Sequence, residues 1–124
     1  MEGEEVSTKS TGDWGEALVA NDLRERGYAI IASGYRCRFG EIDLIAKAKG
    51  VLCFVEVKLR SNLKYGLPRE YVTARKQEKL RMTAQFYLST HELDVPVRFD
   101  VAEVYTDAEH TAKNTHIEYI ENAF

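Results

Sequence analysis

Residues 40–60 read GEIDLIAKAKGVLCFVEVKLR, and the fold turns on this stretch. Two runs rich in β-branched residues, Ile42 to Ala46 and Val51 to Lys58, flank Lys49-Gly50, a dipeptide suited to a two-residue hairpin turn. Along the second run successive side chains take opposite faces, so Val51, Cys53, Val55 and Val57 share one face and Leu52, Phe54, Glu56 and Lys58 the other. A two-residue turn sets Asp43 opposite Glu56 and Glu41 opposite Lys58. A four-residue turn keeps Asp43 and Glu56 on one face, a diagonal step apart, and a three-residue turn separates them. Directly opposed carboxylates lie about 4.5–5.5 Å apart at Cβ, where they repel unless a cation sits between them.

Upstream of the hairpin, a helical pattern runs from about Thr11 to Arg26, with Asp13 as a candidate cap and Gly27 as a stop, followed by a short strand from Tyr28 to Ala32. Downstream, Arg60 to Arg69 has loop composition. Val72 to Thr90 lacks Gly and Pro and carries Leu80, Ala84, Tyr87 and Leu88 at helical spacing. A strand is expected at Val97 to Tyr105 and a last short one at Thr115 to Ile120. The order helix, three strands, helix, strand predicts an α/β fold, a mixed sheet flanked by helices with an αβββαβ core. The first three strands form an antiparallel meander. The second helix makes a right-handed crossover that lays the Val97 strand parallel to the Val51 strand. Residues 1–10 read as a loose polar arm and 11–124 as a single domain.

Composition narrows the function. The 124 residues are 44% hydrophobic and 30% charged, close to globular averages, which argues against a disordered or fibrous chain. The longest apolar run, Val51 to Val55, is far short of the roughly 20 residues of a bilayer-spanning helix. The opening MEGEEVSTKS holds three glutamates and no apolar core of a signal peptide, so a cytoplasmic location is expected. Cys37 and Cys53 have neither disulfide-framework nor zinc spacing, and His91, His110 and His116 show no metal-ligand spacing. The net charge is -3, yet residues 58–81 carry 8 Lys/Arg against 2 Asp/Glu. A phosphate feels such a local cluster more than distant acids, because exposed charges are screened beyond about 8 to 10 Å. A solvated basic face is the plainer reading of the same run.

Two acids and a lysine suit magnesium, which takes one or two carboxylates and otherwise keeps water and phosphate oxygens. Asp43 and Glu56 would hold the ion, and Lys58 would orient a water or neutralise charge on the phosphoryl oxygens, which amounts to phosphodiester hydrolysis. The alternative from spacing alone is an ordinary ion-pair cluster on a strand face. Glu16 shares a helix stripe with Ala20 and Leu23 and is either a third acid or the partner of Asp13 in a capping box. Lys76 is in register with Leu80, Ala84 and Tyr87 and either reaches the same site or snorkels past the core edge. Arg60, Lys64, Arg75, Lys76 and Lys79 are candidate phosphate contacts, which position a nucleic acid without reading its sequence.

Several short stretches together resemble a known family. They are Gly15-Glu16-Ala17, Gly27-Tyr28, GEIDLIA (40–46), FVEVK (54–58) with Arg60, Gly66-Leu67-Pro68, RKQ (75–77), RFDV (98–101) and ENAF (121–124). In this order, from about Gly12 to Phe124, they are similar to the YraN family of small bacterial predicted endonucleases. The resemblance implies a restriction-endonuclease-like fold related to Holliday-junction resolvases, with an active site of the PD-(D/E)xK type. Asp43 matches the first acid, Glu56 the second, Lys58 the lysine, and Glu16 the helix glutamate that completes the metal site. Ile42 stands where the motif's name has proline. With that site comes the expectation of a Mg²⁺- or Mn²⁺-dependent endonuclease acting on DNA, including branched or damaged DNA. Junction-cutting relatives act as symmetric dimers, so the resemblance also implies a homodimer, although no residue pattern marks an interface. The alternative is a non-catalytic nucleic-acid-binding module on the same fold.

Overall fold

The structure is a computed structural model that describes residues 2–66 and 72–124, with side chains from residue 13 onward. Leu67 and Pro68 of the Gly66-Leu67-Pro68 stretch lie outside the described residues. Helix α1 (Glu2–Glu25) leads into strands β1 (Ala29–Cys37), β2 (Gly40–Ala48) and β3 (Val51–Ser61). A 3-10 turn at Asn62–Lys64 and helix α2 (Ala74–Thr90) come next, then β4 (Val97–Thr106), a second 3-10 turn (Ala112–Asn114) and β5 (His116–Ile120). The five strands form one sheet in the order β1-β2-β3-β4-β5. β1 to β3 are an antiparallel meander, β4 is parallel to β3, and β5 is antiparallel to β4. The mixed α/β sheet expected from the sequence is therefore present, with strands longer than their most apolar stretches suggested.

The hairpin closes as its dipeptide requires. Lys49 and Gly50 both have positive φ, 51° and 80°, the conformation of a two-residue turn whose twist matches that of the strands. Its register, Ala48↔Val51 to Leu44↔Val55, is the one set by a two-residue loop.

Each face of the sheet is covered by one helix. Val19, Ala20 and Leu23 of α1 pack on Leu44, Ala46, Cys53, Val55, Ala102 and Val104. Val72, Leu80, Ala84 and Tyr87 pack on Ile42, Ile45, Leu52, Phe54 and Val101. Cys53 and Val55 face α1 while Leu52 and Phe54 face α2, the alternation read from the sequence. Gly15 lets α1 approach closely, since a Cβ there would lie 2.5 Å from Leu59 Cδ1. Trp14 stacks on His110 with ring centroids 4.4 Å apart, a packing role.

One helix boundary differs from the sequence reading. α1 begins at Glu2 and so takes in the stretch read as a loose arm. Asp13 thus lies inside the helix, where the N–H groups that a cap satisfies are already bonded to the preceding turn. The capping-box role for Asp13 and Glu16 is overturned, and Glu16 needs another explanation.

The buried Asp100 organises the other end of β4. It is fully inaccessible and accepts hydrogen bonds from Arg98 Nε (2.9 Å), Tyr119 Oη (2.6 Å) and the Asn122 backbone N–H (2.9 Å). Ala123 N donates to the Phe99 carbonyl, and Phe124 stacks on Phe99 with the Arg81 guanidinium over both rings. RFDV and ENAF are thus two halves of one structural lock. Burial raises the Cys53 thiol beside it to about 11, so it stays protonated.

Candidate active site

Asp43 sits where the β2–β3 ladder stops. In a hairpin closed by Lys49-Gly50, hydrogen-bonded pairs recur at every second residue, and the pair after Leu44↔Val55 would join Ile42 to Val57. The ladder ends instead at Leu44↔Val55, and the Val57 N–H donates to Asp43 Oδ2 at 2.8 Å. The Asp43 side chain has replaced a backbone carbonyl between the strands. The expected pairing of Asp43 opposite Glu56, and of Glu41 opposite Lys58, does not occur. Glu41 pairs across β1 with Arg36, Nη2 to Oε2 3.6 Å.

The neighbouring strand bends at the same level. The pairs Ser33↔Leu44 and Tyr35↔Ile42 place Gly34 (φ +67°) across from Asp43. Tyr35 packs edge-on against Tyr87 of α2, whereas Ser33 Oγ donates to Glu16 Oε1 of α1 at 3.3 Å. In a regular strand these two side chains would share a face. Ile42 and Leu44 likewise pack against opposite helices. The sheet is split here, and the split is where acids from its two sides meet.

Glu16 reaches the split from the α1 side and Glu56 from the α2 side. Burial is the main cause of a rise in the Asp43 pKa to about 7, opposed by the Val57 N–H and reinforced by the charges of Glu56, Glu16 and Glu41. Burial also raises Glu16, against hydrogen bonds from Ser33 and from the Asp43 carboxyl. Asp43 is therefore far more readily protonated near neutrality than a free aspartate.

Lys58 follows Glu56 on the α2 face of β3, alongside Glu103 of β4 in the parallel register. Lys76 Nζ lies 3.4 Å from Glu56 Oε2, whereas Gln77 donates to the Val72 carbonyl at 2.9 Å, so Lys76 is the helix residue turned toward the acids. The Thr73 hydroxyl caps the helix by accepting from Lys76 N at 3.2 Å, which fixes the turn that carries this lysine. Half of the Lys76 side chain remains exposed. Replacing it by Met takes this cation from Glu56, whose side chain is only 12% exposed, and is expected to cost about 1–3 kcal/mol in urea denaturation.

The basic residues fall into two groups. Lys64, Arg75 and Lys79 are exposed. Arg60, expected at the phosphate backbone, is mostly buried, its Nε 3.0 Å from Oε2 of the buried Glu103, to which Tyr105 Oη also donates at 3.2 Å. Sequence reasoning missed this Glu103–Arg60–Tyr105 network. The available signal was an acid in an otherwise apolar strand, which requires a buried partner. Among the described residues no three His, Cys, Asp or Glu side chains are grouped as a ready-made metal cage.

Residues 15–104 match the model of a family described as uncharacterised protein family UPF0102. The chain is 44% identical to a UPF0102 protein of Acetivibrio thermocellus over 98% of its own length and 96% of the relative's. It is 41% identical to a UPF0102 protein of Lachnoclostridium phytofermentans over 92% of its length and 98% of the relative's.

Proposed function

We propose that this chain, which belongs to the uncharacterised protein family UPF0102, is a divalent-metal-dependent endonuclease with a restriction-endonuclease-like fold that hydrolyses phosphodiester bonds in DNA. The observation that carries this reading is the half-buried Asp43 carboxyl in the split between β2 and β3, with Glu16 and Glu56 acting on it from the two faces. Asp43, Glu16 and Glu56 bring three carboxylates to bear here, and the cation in contact with them is Lys76, on Glu56. Magnesium and manganese fit this site, because such ions need only one or two protein carboxylates and fill the remaining positions with water and phosphate oxygens. Asp43 and Glu56 would hold the ion, with Glu16 completing the set. When bound, it would polarise a phosphoryl oxygen and favour ionisation of a water.

The chain's own residues supply the rest. Val57 N–H fixes the Asp43 carboxyl against β3, and Ser33 orients Glu16. Lys58, on the face that Glu56 shares, would neutralise charge developing on the phosphoryl oxygens. Lys64, Arg75 and Lys79 would grip neighbouring phosphates without reading bases. No helix of the described residues is long and apolar enough to cross a membrane.

The test is cleavage of linear, single-stranded, flapped and four-way DNA by the purified chain with Mg²⁺ or Mn²⁺. Wild type is expected to cut at least one of these, and Glu56→Gln to cut no faster than about a tenth as well. Failure of wild type on all four with both metals would end the enzymatic reading. A second reading, a DNA-binding module without chemistry, is favoured by the Lys76 ammonium already resting on Glu56. Calorimetry without Mg²⁺ or Mn²⁺ binding, beside salt-sensitive DNA binding, would select it.

A further inference from the structure

The first turn of α2 carries cations where a helix end disfavours them. Ala74, Arg75 and Lys76 open the helix, and its first turn holds no acid. The positive end of the helix dipole favours carboxylates at such positions and repels ammonium groups. The backbone beneath Lys76 is nevertheless well fixed. Its N–H donates to the Thr73 hydroxyl at 3.2 Å, and Gln77 donates from its backbone N to the Thr73 carbonyl at 2.8 Å and from Nε2 to the Val72 carbonyl at 2.9 Å. What can move here is the Lys76 side chain.

Glu56 holds that side chain in place, with Oε2 3.4 Å from Nζ. The two groups are unequally exposed, Glu56 to 12% and Lys76 to 50%, so the acid is recessed and the lysine meets it from the solvent side. Lysine suits a contact that has to be given up. Its charge is a compact ammonium on a flexible four-carbon stem, whereas an arginine fork would grip the carboxylate through two bonds. A divalent ion drawn to Asp43 and Glu56 would compete with this ammonium for one carboxylate and repel it, and the helix end adds to the repulsion. Turned outward, Lys76 joins the exposed Arg75 and, one turn along the same helix face, the exposed Lys79. There an anion such as a DNA phosphate can take the place of Glu56.

We propose that Lys76 is a displaceable counter-ion, which occupies Glu56 while the acids are without metal and transfers its charge to a DNA phosphate once a divalent ion binds. The proposal rests on the nuclease reading and adds that metal and DNA bind cooperatively through this one side chain. Each should then tighten the other by the same factor.

The test separates metal from DNA and needs no cleavage. Mn²⁺ binding to the full chain is read from the loss of the free-ion EPR signal. Binding of a labelled linear duplex is read by anisotropy in EDTA and in enough Ca²⁺ to displace Mn²⁺ in the first titration. Lys76→Met should bind Mn²⁺ at least about fivefold more tightly than wild type, and Lys76→Arg no more tightly than wild type. Lost stability in Lys76→Met cannot imitate this result, because unfolding only weakens metal binding. In EDTA, Lys76→Met should bind the duplex within about twofold of wild type, since the lysine is engaged on Glu56, and in Ca²⁺ at least about fivefold more weakly. Arg75→Met should weaken duplex binding by a similar factor in both buffers and keep the Mn²⁺ affinity within about twofold of wild type. Unchanged Mn²⁺ affinity in Lys76→Met, or a loss of duplex affinity no greater in Ca²⁺ than in EDTA, would overturn the counter-ion and leave the nuclease reading standing. Absence of Mn²⁺ binding in wild type and Lys76→Met alike would overturn both.

Discussion

Replacing Asp43 by Asn is expected to lower DNA cleavage by about a thousandfold or more, and at the same time to make the metal-free protein more stable above neutral pH. The first effect comes from removing the central carboxylate of the proposed ion site. The second comes from where Asp43 sits. It ionises at 3.8 in an unfolded chain and at about 7 in the fold, so the folded state binds this proton more tightly. The stability gained is complete below pH 3.8, falls away as the pH rises to about 7 and is absent above it. If the full difference is expressed, it amounts to up to roughly 4 kcal/mol. An Asn side chain does not titrate, and its Oδ1 still accepts the Val57 N–H. Urea denaturation of both proteins between about pH 5 and about pH 8 should therefore show wild type losing stability relative to Asp43→Asn as pH rises. Added Mg²⁺ or Mn²⁺ should restore wild type at about pH 8 and leave the variant unchanged. Parallel profiles for the two proteins would mean that the split in the sheet imposes no penalty on the Asp43 charge.

The second large effect lies away from the acids. Asp100→Ala is expected to cost about 3 kcal/mol, because it removes the fully buried acceptor that Arg98, the Tyr119 hydroxyl and the Asn122 N–H share. Hydrogen bonds to Asp100 hold the Arg98 charge more firmly than in a free arginine, and burial keeps the Tyr119 phenol protonated. The loss is read from the urea midpoint at constant slope. A change under about 1 kcal/mol would mean that the remaining groups find other partners.

The hairpin was the most legible part of the sequence. Period-two alternation assigned Cys53 and Val55 to one face of the strand and Leu52 and Phe54 to the other, each face meets a different helix, and Lys49-Gly50 set the register near the turn. The meander and the parallel crossover were legible from element order. The break at Asp43 was not, because a side chain that displaces a backbone acceptor leaves the residue pattern of the strand unchanged. The start of α1 was missed because a polar segment without an apolar period carries little helical signal. Glu16 was legible from its spacing as a residue on the inward stripe and from the family resemblance as a third acid, but its neighbours Ser33 and Asp43 come from other elements. RFDV and ENAF were visible as separate stretches, but their contact depends on β5 folding back along β4. Arg60 read as one more surface cation because its partner Glu103 is far along the chain.

The contrast between local and distant pairing bears on the order of assembly. Asp43 and Glu56 lie on adjoining arms of a two-residue hairpin, whose closure requires little chain entropy and is complete within microseconds. The parallel ladder from Leu52↔Val97 to Ser61↔Thr106 joins segments separated by the whole of α2, and such non-local pairing is slow. The acids should come together in an early, partly formed nucleus, while the Asp100 shell closes late. Asp100→Ala should then speed unfolding and leave the refolding rate nearly unchanged, whereas Gly50→Val, which strains the hairpin, should slow refolding.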